Sequence, residues 1–179
     1  MQPGSYVFPD RDCADNEPAP HAPVFEPALF VSSRVMSRGE AHAVVDAGHK
    51  SHAIDSGLPR VWARELDFAN GADEHGILRP QAGGSADSLP AAGEAVRPVP
   101  GHGDPTVNPH DHIVCVCGGL EHGLVEAVWQ VDTRLRGLSG DCCPIHAPGH
   151  HFRGRRFEAR RINATLRYCL SLPGGEALG

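Results

Sequence analysis

A mainly β fold, a distorted sandwich or barrel-like domain, is predicted by three features of this sequence. Short runs of apolar and β-branched residues recur with turn residues about every 8 to 12 positions. Glycine and proline are abundant, 21 and 16 of 179 residues, beside a hydrophobic share of 40%, a balance that favours turns and strands over a helical bundle. No alternating strand–helix pattern, internal repeat, P-loop or dinucleotide fingerprint competes with that reading.

Taken in order, Gly4-Ser5-Tyr6-Val7-Phe8 predicts a short strand that stops at Pro9-Asp10. Residues 12–23 are polar and punctuated by proline, which predicts a loop. Residues 28–37 open as an apolar run and loosen into alternation, the pattern of a strand buried on both faces at its start. Residues 41–48 predict a second strand ending at Gly48, and 51–59 a short element and a turn. A weaker strand over 64–68 leads into the turn Asn70-Gly71, and 74–78 restores apolar character before Pro80. Residues 81–95, rich in Gly, Ala, Ser and Pro, predict a mobile loop. A strand over 112–117 and a return strand over 124–131 flank the turn residues Gly118-Gly119.

The charge distribution divides the chain. Residues 1–133 hold 8 Lys/Arg against 19 Asp/Glu, and residues 134–179 hold 8 Arg against 3 Asp/Glu. The second part is expected to be a tail that is partly helical or disordered, with 157–169 forming a basic helix that carries Ile162, Leu166 and Cys169 on one face. Such a segment invites a nucleic-acid reading, but an arginine-rich appendage is the expectation and nucleic acid is not expected as a partner. No stretch is long and apolar enough for a membrane span, and Met1–Tyr6 lacks the features of a signal peptide. A cytoplasmic protein with reduced thiols is expected. Cys115-x-Cys117 lacks a second pair at zinc-site spacing, so both are expected to pack as small residues on one strand face.

The chemistry concentrates in Pro100-Gly101-His102-Gly103-Asp104-Pro105-Thr106-Val107-Asn108-Pro109-His110-Asp111. Prolines and glycines fix and permit its backbone by turns. If the segment is extended, His102 and Asp104 point to the same side. An imidazole and a carboxylate so paired suit Mn²⁺, Mg²⁺ or Zn²⁺ by ligand type.

A series of separated motifs in one order carries a resemblance. Gly4-Ser5-Tyr6-Val7-Phe8-x-Asp10, Ala28-Leu29-Phe30-Val31, Val44-Val45-Asp46-Ala47-Gly48-x-Lys50 and Asp55-Ser56-Gly57-Leu58-Pro59 come first. Glu74-His75-Gly76, then Val99-Pro100-Gly101-His102-x-Asp104-Pro105-Thr106-Val107-Asn108, then Val128-Trp129 follow. Over about residues 2–132 the chain resembles the C-terminal β-domain of the D-threonine aldolase and D-serine dehydratase-like family. That resemblance implies an enzyme dependent on pyridoxal phosphate and a divalent metal. An N-terminal barrel bears the cofactor's lysine, and the β-domain supplies the metal ligands. Carried over, His102 and Asp104 are the metal ligands, and Tyr6, near the junction with the barrel, is a cofactor-side residue. An H-x-D pair favours the aldolase branch; the dehydratase branch typically has H-x-C.

The departures matter too. Lys50, the only lysine, matches a β-domain position and not the cofactor's lysine, and the barrel is absent. His49 replaces a usually apolar residue. The chain is therefore expected to be the metal-binding part of a lyase that cleaves D-3-hydroxy amino acids such as D-threonine. It is expected to carry no catalytic residue of its own and to be inactive alone, and a separate barrel chain or a homodimer would complete it. A D-serine dehydratase-type ammonia-lyase domain and a stand-alone, non-catalytic metal- or partner-binding β-domain stay open as alternatives.

Overall fold

The architecture is a computed structural model that describes residues 8–131, apart from Ala22 and Val24, and the strand Thr165–Leu170. The segments richest in β-branched and apolar residues became strands. They are β1 (Leu29–Arg38), β2 (Ala43–Val45), β3 (Arg60–Val61), β4 (Leu66–Asn70), β5 (Gly76–Pro80), β6 (Ala95–Val96), β7 (Pro98–Val99), β8 (His112–Cys117), β9 (Leu124–Gln130) and β10 (Thr165–Leu170). Two short helices, α1 (Arg11–Ala14) and α2 (Gly103–Val107), and a 3-10 turn at Ala86–Ser88 complete the set among the described residues.

The main sheet runs β4-β5-β2-β1-β10-β8-β9, with β6 added to β1, while β3 and β7 pair as a separate ribbon. The two ends of that path, β4 and β9, are not paired with each other, so the sheet is open rather than closed into a barrel. The fold is mainly β, as the residue pattern predicts. Leu29, Phe30 and Val31 at the start of β1 are essentially inaccessible, and exposure alternates only after Ser33. The core gathers them with Val35, Ala43, Val45, Leu66, Phe68 and Leu78. Each of these larger side chains, Ala43 apart, contributes about 1.5–3 kcal/mol by burial.

Several expectations change against the structure. Thr165–Leu170 is a strand, antiparallel to β1 and parallel to β8, where a basic helix was predicted over 157–169; residues 157–164 lie outside the described part. The local composition explains the outcome: Thr165, Leu166, Tyr168, Cys169 and Leu170 suit a pleated surface, and two strand edges stand ready to pair with them. The Ala/Gly/Ser-rich stretch 81–95 is not a free loop. Leu89 and Pro90 are buried, Arg38 donates to the Ala86 carbonyl, and the Val35 and Glu94 backbones are hydrogen-bonded. Arg11–Ala14 forms one helical turn inside the predicted loop, capped by the Asp10 side chain accepting from the Cys13 amide at 2.9 Å. A register shift between Cys115 and Val116 turns both inward and leaves Cys117 exposed, so the two cysteines do not share a face. The predicted strand at 4–8 lies outside the described residues except for Phe8.

Candidate metal centre

The stretch around His102 is not extended beyond that residue. His102 keeps a β conformation, φ −139 and ψ 123, and caps α2, in which Gly103, Asp104 and Pro105 form the first turn. A proline fits there because first-turn amides lack intrahelical partners, and an acidic residue suits the helix start. The same-side argument for an extended segment therefore fails. His102 and Asp104 stand instead at the N-cap and in the first turn of α2, near enough for the Asp104 charge to act on the imidazole.

Three attachments hold this corner. Asp10, 5% exposed, accepts from the Gly103 amide at 2.7 Å while also capping α1. The Arg11 and Asp12 amides donate to the carbonyls of Pro100 and Gly101 at 3.0 and 3.3 Å. Fully buried Thr106 donates its hydroxyl to the His102 carbonyl at 2.6 Å and accepts from the Ala53 amide at 3.0 Å. That last pair fastens the corner to the turn at Asp55-Ser56-Gly57. Contact there is close: a Cβ on Gly101 would lie 2.1 Å from the Gly57 carbonyl oxygen, so only glycine fits.

His102 faces Asp55 across this contact, with Nδ1 2.6 Å from the Asp55 carboxylate. The hydrogen bond raises the imidazole pKa against some desolvation, and the negative charges of Asp55, Asp10 and Asp104 push the same way. The same bond lowers the Asp55 carboxyl. The His102 Nε2 has no partner among the described residues, and Asp104 is exposed with its carboxylate unengaged among them. An open imidazole nitrogen and the free Asp104 carboxylate, with the acidic Asp10 and Asp55 beside them, fit a divalent cation by donor type and by charge. Among the described residues no group of three or more His, Cys, Asp or Glu is arranged to hold a metal.

Other residues singled out from the sequence fall elsewhere. Lys50 pairs with Glu74 at the rim of a cleft of about 280 Å³ that His75 and His110 also line. The Glu74 hydrogen bond raises the Lys50 pKa. Gly76 lies under Phe68, where a Cβ would meet the ring at 2.3 Å. Glu74-His75-Gly76 is thus a pairing and packing motif here. Tyr6 lies outside the described residues. Burial, with Glu126 adding to it, pushes the Cys115 thiol up to about 11, which leaves it unreactive.

The comparisons with known proteins decide the family. Residues 28–116 match the putative serine dehydratase domain. The chain is 39% identical over 143 residues to the 3-hydroxy-D-aspartate aldolase of Paracoccus denitrificans, covering 76% of this chain and 35% of that protein. It is likewise 39% identical over 137 residues to a D-threonine aldolase from an Arthrobacter species, covering 75% and 34%. This β-domain belongs to the D-threonine aldolase and D-serine dehydratase-like family. The crystal structure of D-threonine aldolase from Filomicrobium marinum superposes with a TM-score of 0.65 at 44% identity, over 72% of this chain and 33% of that one. The chain thus spans about a third of the length of the relatives it matches. No helix among the described residues of this aldolase-like domain is long and apolar enough to cross a membrane.

Asp10, Asp55, Thr106 and the Gly57–Gly101 contact are the site residues that the sequence reading left without a role. Each lies in a motif of the series, but the contacts join positions 44 to 93 residues apart, which no local pattern reveals.

Proposed function

We propose that this chain is the metal-binding β-domain of a lyase that cleaves D-3-hydroxy amino acids, such as D-threonine or 3-hydroxy-D-aspartate, to glycine and an aldehyde. The observation that carries the reading is His102 at the cap of α2. Its Nδ1 is engaged by Asp55 and its Nε2 is open, with the unengaged Asp104 carboxylate two residues on. Similarity to two named aldolases supports the substrate class. The H-x-D pair supports aldol cleavage over dehydration, which the same corner could otherwise serve.

In this reading His102 Nε2 and Asp104 hold the cation, and Asp10 and Thr106 fix the backbone that carries them. A divalent ion held there supplies Lewis acidity, which lowers the pKa of a hydroxyl bound to it. The acidic surroundings strengthen cation binding, and the two-ligand set leaves room for a substrate hydroxyl.

Pyridoxal phosphate, when bound in a complete enzyme, supplies the electron sink for cleaving the carbon–carbon bond. Lys50 does not fit as its anchor: it is exposed, engaged with Glu74, and shifted away from the neutral amine that attacks a carbonyl. The anchor is assigned to a barrel domain that this sequence does not include, on a longer form of the chain or on a separate one. Tyr6 is kept as the residue nearest that junction.

Metal analysis of the purified protein after exhaustive dialysis against Mn²⁺ buffer tests the site. The native chain should retain the metal, and His102→Ala and Asp104→Ala should lose most of it. Equal metal content in all three rejects the ligand assignment. Cleavage of D-threonine by the purified chain alone, with cofactor added, would reject the assignment of the anchor to a barrel.

A further inference from the structure

We propose that Asp55 is a positioning residue for His102, fixing the imidazole as its Nδ1–H tautomer so that Nε2 presents its lone pair to a divalent cation. The inference rests on reading His102 as a ligand, and adds a residue to which no role has been given. An ionised carboxylate only accepts hydrogen bonds, so at 2.6 Å the Asp55 oxygen requires a proton on Nδ1. In the neutral ring the other nitrogen then carries the lone pair. A carboxylate behind a metal-binding histidine sets both the tautomer and the ring plane, and raises the basicity of the ligating nitrogen.

Asp55 is itself held at that position. The turn that carries it closes through the Gly57 amide donating to the Ile54 carbonyl at 3.1 Å. The Ala53 amide donates to Thr106 on α2 at 3.0 Å, and the Gly57 carbonyl abuts Gly101. On the far side, Arg11 donates to the Leu58 carbonyl at 2.8 Å. The turn and the α2 corner are therefore joined on both sides of the His102–Asp55 bond. The arrangement also separates two roles among the acidic groups: Asp55 spends its oxygen on Nδ1, and Asp104 keeps its carboxylate for the ion.

The test uses the full chain labelled with ¹⁵N in its histidines, in native, Asp55→Ala, Asp55→Asn and His102→Ala forms. Long-range ¹H–¹⁵N spectra of the metal-free protein at pH 8 report the His102 tautomer. Competition titrations report Mn²⁺ affinity. The native ring should be the Nδ1–H tautomer. Asp55→Ala should lose that preference and bind Mn²⁺ about 10- to 100-fold more weakly. Asp55→Asn, whose carbonyl still accepts from Nδ1, should keep the tautomer and recover part of the affinity. An Nε2–H tautomer in the native protein, or a tautomer unchanged by Asp55→Ala, overturns the inference. So does unchanged affinity in Asp55→Ala when His102→Ala abolishes binding. If the native chain binds no Mn²⁺, or His102→Ala binds as well as native, the ligand reading fails, and the tautomer spectra still judge Asp55 by themselves.

Discussion

His52 is an imidazole sealed in the core: 2% exposed, packed edge-on against Phe68 at 5.1 Å, and with neither ring nitrogen hydrogen-bonded among the described residues. Burial, helped by the nearby His49 and His110, lowers its pKa from 6.5 to about 4. The unfolded chain therefore binds a proton between those values that the folded chain refuses. The resulting stability is complete above pH 6.5 and falls away as the pH drops toward 4. Between pH 7 and pH 5 the cost is about 2 kcal/mol. His52→Leu should remove that part of the acid sensitivity, so urea midpoints of native and variant should converge at pH 7 relative to pH 5; parallel pH profiles would contradict the assignment. The same scale marks a limit of sequence reading. His52 sits one residue from Ser51 in a stretch that looks polar, and only the folded chain puts it against Phe68. His102 and Asp104, by contrast, were legible as a pair from residue type and spacing, although the extended conformation invoked for them was not the one adopted.

At the scale of elements, the strands were legible and their partners were not. The apolar run at the start of β1, the β-branched β8 and the paired glycines after it announce themselves locally. Gly118 and Gly119 both take positive φ, +85 and +98, where the chain leaves β8 for the six-residue connection to β9. α2 was missed because it is five residues long and contains a proline, so it shows no helical period. Its position depends on Thr106, whose buried hydroxyl serves two partly buried backbone groups at once. Thr106→Val keeps the shape and removes the hydroxyl, leaving the Ala53 amide without its acceptor. A loss of about 1–3 kcal/mol is expected from chemical denaturation, together with weaker Mn²⁺ binding as the turn and the corner separate. Gly101→Ala should be worse on both counts, because the new methyl meets the Gly57 carbonyl oxygen at 2.1 Å with backbone on each side. Native-like stability in either variant would show that the corner is not held as described.

Across the whole molecule, β10 joins the two parts of the main sheet. Among the described residues β1 reaches β8 through it, by antiparallel pairing at Leu29–Ser32 and parallel pairing at Ile113–Cys117. Tyr168→Pro places a residue without an amide hydrogen in the middle of that ladder. Hydrogen exchange should then lose protection at Leu29–Ser32 and Ile113–Cys117 while the β4–β5 hairpin keeps it; unchanged protection at both strands would mean that β10 does not hold the sheet together. Nothing in the arginine-rich composition of 134–179 announced this pairing, because a strand inserted between two distant edges is specified by those edges as much as by itself. The family and the β class could be read from residues 1–133, since motif order survives without knowledge of contacts; the H-x-D corner is proposed as a metal site. The central claim concerns that corner, and crystals soaked in Mn²⁺ test it most directly. An anomalous difference map should place one peak within coordination distance of both His102 Nε2 and an Asp104 carboxylate oxygen, with Asp55 still on Nδ1. A map with no peak at the corner, or with its strongest peak at Glu74 and His75, would contradict the account.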